Sequence, residues 1–128
     1  TYRGDGVVVS TATGSTGYSL ALGGPVMDPT SRDFLVKPIA SHMSLFGGAI
    51  LQSSSTVELT VEAYEDATLN ADGFIDQELS AGDLVTITQS GVYASFLRRK
   101  AAADFWGDLA GRLELRKGSV KSSPRRRI

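Results

Sequence analysis

The chain predicts a mainly β, sandwich-like domain, and three observations carry that expectation. Short apolar or alternating segments recur along most of its length, separated by glycine-rich turn signals. One of them alternates with a clean period of two. Helical patterning is confined to a short segment after a Gly/Ser/Thr loop and to a stretch near the C-terminus.

The elements follow in order. Val7-Val8-Val9 is a buried strand by composition, because β-branched side chains fit a pleated surface and no polar residue interrupts them. A short helical segment follows the loop, and Pro25 and Pro29 then impose a turn. Phe34-Leu35-Val36-Lys37-Pro38-Ile39 reads as a strand, with Pro38 marking an edge or the strand's end. Ala49-Ile50-Leu51 is a short apolar run before a serine turn. From 56 to 64, Val57, Leu59, Val61 and Ala63 face one side while Thr56, Glu58, Thr60 and Glu62 face the other, as in a half-buried antiparallel strand. Further strands are expected at 67–71, 84–89 and 92–98, bounded by Asp72-Gly73, Ala81-Gly82-Asp83 and Ser90-Gly91. Asp104 then caps a helix running to 115, in which Phe105, Trp106, Leu109, Ala110 and Leu113 recur at helical spacing. Phe105 and Trp106 are adjacent and point about 100° apart, so one sheet surface covers only part of that arc. The helix is therefore expected to dock on a further domain or subunit as well as on its own. Residues 1–116 form the domain in this reading, and 117–128 a basic, disordered tail.

Composition narrows the function classes. A length of 128 residues suits one domain. A net charge of −1 exerts no general attraction for nucleic acid or membrane. The chain has no cysteine, which excludes disulfides and thiolate metal sites and fits a reducing, cytoplasmic setting. No apolar run approaches the roughly 20 residues of a membrane span, and no signal peptide is read. The sequence opens without methionine directly onto a motif, so it is expected to be part of a longer protein.

That motif is the most informative stretch: Gly4-Asp5-Gly6, the valine run, Ser10-Thr11-Ala12-Thr13-Gly14-Ser15-Thr16-Gly17-Tyr18-Ser19, and soon Gly23-Gly24-Pro25. Thr13, Gly14, Ser15 and Thr16 leave the strand with N–H groups and hydroxyls exposed just ahead of a helix start, an arrangement that suits a phosphate, ribose or carboxamide. The same residue types also serve simply as N-caps and turns. Tyr18 supplies a flat apolar face plus a hydroxyl, suited to stacking on a heterocycle or to packing in a core.

The ordered block resembles the NAD kinase family, whose members carry Gly-Asp-Gly, three apolar residues, Ser-Thr-Pro-Thr-Gly-Ser-Thr-Ala-Tyr-Ser and then Gly-Gly-Pro. Ala12 stands for the usual proline and Gly17 for the usual alanine. Gly82-Asp83-Leu84-Val85-Thr86-Ile87, Phe96-Leu97-Arg98 and Asp104-Phe105-Trp106 are also similar to the family's later elements, so the resemblance covers about residues 2–115. It implies the β-sandwich-like C-terminal domain of a two-domain enzyme that phosphorylates the adenosine ribose 2′-hydroxyl of NAD, using ATP or polyphosphate with Mg2+ or another divalent cation.

Site residues carry over by position. Asp5 matches the aspartate at the nicotinamide end of NAD, and Thr16, Gly17 and Tyr18 match the triplet lining the dinucleotide site. Ala40 matches a backbone segment brought from a neighbouring subunit, which implies a homo-oligomer. Asp72 matches the aspartate of an Asp-Gly-Gln turn, but Phe74 replaces the glutamine. His42, the sole histidine, lies in a family segment whose arginine is here Gly47. The family's catalytic Gly-Gly-Asp-Gly-Thr and Asn-Glu motifs, which sit in an N-terminal α/β domain, do not occur. The resemblance therefore implies no catalytic residue, no metal site and no bound cofactor in this chain alone. Two rivals stand beside this reading: a non-catalytic dinucleotide sensor, and the C-terminal half of a diacylglycerol- or sphingosine-type lipid kinase, which is expected to lack Thr16-Gly17-Tyr18-Ser19.

Overall fold

A computed structural model describes residues 4–40, 48–62, 67–97 and 104–117. Its elements are β1 (Gly6–Thr11), a 3-10 turn (Gly14–Thr16), α1 (Tyr18–Ala21), β2 (Phe34–Ile39), β3 (Ala49–Leu51), β4 (Val57–Thr60), β5 (Ala67–Ala71), β6 (Ile75–Leu79), β7 (Leu84–Ile87) and α2 (Phe105–Lys117). The mainly β expectation holds, with one short helix after the loop and one near the C-terminus.

The strands form three separate antiparallel ladders: β1-β2-β3, β4-β7 and β5-β6. The sandwich-like description is thus met only in part, because the ladders are small and distinct. β2 is the central strand of the first, pairing Val7 with Pro38 and Ser10 with Leu35 on one side, and Phe34 with Leu51 on the other. Its central position explains its burial: Leu35 clusters with Ala12 and Met27, and Phe34 is buried as well. Pro38 is accommodated for a simple reason. The Ile39 carbonyl accepts from Asp5 on the β1 side, so the Pro38 nitrogen faces the opposite side, where pairing with β3 has ended at Val36. The missing donor therefore breaks no ladder bond.

Lys37 also lies on β2 and is buried. It stands opposite Val8, and no hydrogen-bond or ion-pair partner for it occurs among the described residues. Its aliphatic stem serves as core material in the way long cationic side chains commonly do.

β4 keeps the predicted alternation, with Val57 and Leu59 half-buried and Glu58 and Thr60 exposed. The strand is shorter than expected, ending at Thr60, while residues 63 and 64 lie outside the described ones. Val61 nonetheless continues the pairing, since its N–H donates to the Asp83 carbonyl and its own carbonyl accepts from Gly82. The predicted turn there is real: Gly82 has φ +92°, and the Ser80 N–H donates to the Asp83 carboxylate at 2.7 Å.

Two expectations need correction. Described residues 92–97 form no strand, and Val92, Tyr93, Phe96 and Leu97 are all exposed, so the apolar composition there does not reflect pairing or burial within this chain. Conversely, β6 was not predicted, because Ile75-Asp76-Gln77-Glu78-Leu79 carries three consecutive polar residues and lacks alternation. It forms by pairing residue for residue with β5 across the Asp72-Gly73 turn. The predicted tail from 117 onward lies almost wholly outside the described residues.

Candidate functional site

The loop after β1 folds onto the strand that precedes it. Thr11 Oγ1 accepts from the Gly14 N–H at 3.3 Å, and Gly14 sits so close to Ser10 that an added Cβ would lie 3.2 Å from the Ser10 Cβ. Ser15 is fully buried. Its hydroxyl donates to the Ala12 carbonyl at 2.6 Å and accepts from the Met27 N–H at 3.0 Å. Both functions of that hydroxyl are consumed internally, which corrects the expectation that it faces a ligand. Ser19 is likewise buried, and its Oγ has no hydrogen-bond partner among the described residues.

The chain then returns beneath this loop. The Gly24 N–H donates to the Ser19 carbonyl at 2.8 Å, and a Cβ at Gly24 would stand 2.4 Å from Ser19 Oγ and 2.8 Å from the Ser19 carbonyl oxygen. Glycine is required there by close approach. Residues 24–27 thus form a floor under residues 15–19, contacting them through the buried Met27–Ser15 bond and the Gly24–Ser19 bond. The Gly-Gly-Pro part of the motif was legible, whereas the floor role of Ser15, Ser19 and Met27 was not; the one available signal was the density of small residues around Ser19 and Gly24.

What the floor supports is exposed. Thr16 is half-buried, and its hydroxyl donates back to the Thr13 carbonyl at 3.2 Å. Gly17 stands at φ −92°, ψ −128° between the 3-10 turn and α1 and donates to the Gly14 carbonyl. Tyr18 opens α1 with 62% of its surface exposed, so packing is not its main role within this chain. An exposed aromatic ring is a ready stacking platform.

Asp5 and Ala40 come together at the other end of the ladder. The Asp5 N–H donates to the Ile39 carbonyl at 3.0 Å, and Ala40 follows with φ +47°, a left-handed conformation that costs a non-glycine residue about 1–2 kcal/mol. Both are exposed. Between this pair and the Tyr18 loop run the five residue steps of β1, about 17 Å at 3.4 Å per residue. Asp72 is not part of either group by any described contact. It occupies the β5–β6 turn with φ +52°, followed by Gly73 at +76°, the consecutive left-handed pair that tight hairpins favour. The Asn70 amide, which accepts from Gly73 N–H at 3.0 Å and donates to Asp76 at 2.6 Å, fixes that turn. Phe74 beside it is 92% exposed. His42 lies outside the described residues.

Among the described residues, the segment after the floor carries the one clear electrostatic perturbation. The Thr30 hydroxyl, then the Thr30 N–H at 2.8 Å, and a weaker hydrogen bond from the Trp106 side chain hold the Asp28 carboxyl below its ordinary range, against a small opposing effect of burial. Among the described residues, no three His, Cys, Asp or Glu side chains gather into a group able to hold a metal ion.

Residues 1–99 match the ATP-NAD kinase C-terminal domain family. The chain is 42% identical over 120 residues to an NAD kinase of Dehalococcoides mccartyi strain CBDB1, covering 94% of this chain and 42% of that protein. It is 37% identical over 113 residues to one from Chloroflexus aurantiacus, covering 88% of this chain and 41% of the relative. Among solved structures, yeast NADH kinase complexed with NADH superposes with a TM-score of 0.73 at 27% identity, over 99% of this chain and 36% of that one. The NAD kinase of Archaeoglobus fulgidus in complex with ATP gives 0.71 at 28% identity, over 88% and 42%. The chain spans about two fifths of the length of the curated relatives it matches. Block, fold and comparisons converge, and this chain belongs to the ATP-NAD kinase C-terminal domain family.

Proposed function

We propose that this chain is the dinucleotide-binding part of an NAD kinase, which transfers a phosphoryl group from ATP or polyphosphate to the 2′-hydroxyl of the NAD adenosine ribose. The observation that carries the reading is the exposed Tyr18, raised on a bonded floor inside the block that matches the family. Tyr18 stacks on a heterocycle of the dinucleotide, while Thr16 and Gly17 shape the adjoining surface. Asp5 accepts from the nicotinamide carboxamide, and Ala40 offers backbone beside it. Asp72 approaches from the β5–β6 turn. Ala40 stands where the family brings a backbone segment from a neighbouring subunit to the site, so a homo-oligomer is part of this proposal.

No step is assigned to a metal on this chain. A cation entering with the donor would supply charge neutralisation on its phosphates. Phosphoryl transfer itself is assigned to the remainder of the protein, and the setting to the cytoplasm. The NADH and ATP complexes of the two structural neighbours support the substrate classes. A sensor role would retain the same dinucleotide-binding surface, and one experiment separates the two. Full-length protein incubated with NAD, ATP and Mg2+ is expected to form NADP, read by a coupled dehydrogenase, whereas the 128-residue chain alone gives none. Saturable NAD binding without NADP formation by the full-length protein would favour the sensor, and turnover by the short chain would contradict the division of labour.

A further inference from the structure

The floor under the Tyr18 loop is itself held from a distance. Residues 24–27 touch the loop through Gly24 and Met27, and the same segment continues through Asp28, Thr30 and Ser31 to Arg32. It is internally stiff: Asp28 accepts from the Thr30 N–H, the Ser31 N–H donates to the Asp28 carbonyl at 2.9 Å, and the Ser31 hydroxyl accepts from Asp33 at 3.1 Å. Pro25 and Pro29 restrict it further. At its far end, the Arg32 guanidinium lies 5.1 Å from the centre of the Tyr93 ring and donates to the Tyr93 hydroxyl at 3.3 Å. The Gln89 side-chain amide donates to the Arg32 carbonyl at 3.1 Å. These bonds cross about sixty residues of sequence to a stretch that is otherwise exposed and forms no strand.

We propose that Arg32 and Tyr93 are positioning residues for the dinucleotide loop: their stacked, hydrogen-bonded pair fixes residues 24–33, whose backbone sets the height and tilt of Tyr18 through Ser15 and Ser19. Neither touches substrate. The inference rests on the dinucleotide-binding reading for its functional consequence, although its structural part stands independently. A stack of this kind on an exposed surface is sufficient to bias a loop and too weak to hold the fold. Losing it therefore loosens the loop while the ladders persist.

The test uses the full-length protein and two readouts. Amide hydrogen exchange without ligand is expected to accelerate in residues 14–27 of Tyr93→Ala and to stay unchanged in residues 67–79, the β5–β6 hairpin. Steady-state kinetics of the same variant are expected to show KM for NAD raised about three- to fivefold, with kcat and KM for ATP nearly constant. Tyr93→Phe, which retains the ring under the guanidinium, should recover most of both effects. Arg32→Gln provides the same test from the other partner should Tyr93→Ala fold poorly. Unchanged exchange in residues 14–27 of a folded variant overturns the proposal, as does a uniform increase across the chain. If the full-length wild type forms no NADP, the kinase reading fails, and the exchange comparison still decides the positioning role.

Discussion

Tyr18 and Ser15 lie in one short loop and have opposite fates. Sequence alone marked both as site material, yet Ser15 spends its hydroxyl on Ala12 and Met27 while the Tyr18 ring remains open. The difference was not legible because the Met27 partner lies twelve residues away and nothing local announces it. Gly24 permits a sharper expectation. Gly24→Ala places a Cβ against Ser19 backbone and hydroxyl, and should destabilise the protein by about 1–3 kcal/mol in denaturant titration. A midpoint equal to wild type would mean that the floor can yield. Lys37 gives the reverse case: Lys37→Met keeps the length of the stem and removes a charge without a described partner, so stability should be unchanged or slightly higher. Asp28 supplies a pH dependence. Its folded carboxyl titrates below the unfolded value, so its contribution is fully present above that value, near pH 4, and is lost as pH falls through the lower folded one. Thr30→Val removes the largest cause and should flatten that acid limb in a melting-temperature profile; an unaltered limb would assign it to other carboxylates.

At the scale of elements, period and turn chemistry were read well and partnerships poorly. β1, β2 and β4 follow from β-branched runs and alternation, and the hairpin turn at Asp72-Gly73 from its dipeptide. β6 escaped because its ladder with β5, rather than any pattern of its own, makes it a strand. Residues 92–97 misled in the opposite sense: an apolar run predicts burial, but the surface that would bury it is not on this chain's described elements. The α2 helix shows the same incompleteness. Trp106 packs edge-on against Phe105 at 5.2 Å and contacts Asp28, yet remains 48% exposed. In the isolated 128-residue chain, its emission should therefore be red-shifted and quencher-accessible. Blue-shifted, protected emission from a monomer would show that the helix is satisfied within its own domain.

At the scale of the whole molecule, the chain carries the family block and spans about two fifths of the length of the relatives it matches. This chain displays Tyr18 on the loop after β1 and brings Asp5 and Ala40 together at the opposite end of that strand. The block was legible because many consecutive positions specify it, while the juxtaposition of Asp5 with Ala40 emerged only from the ladder register. Dinucleotide recognition by this display is tested most directly by steady-state kinetics of the full-length Tyr18→Ala variant. Loss of the stacking face, about 1–3 kcal/mol by analogy with base-on-aromatic contacts, should raise KM for NAD roughly five- to a hundredfold and leave KM for ATP nearly fixed. An NAD KM equal to wild type in a folded, active Tyr18→Ala enzyme would contradict it.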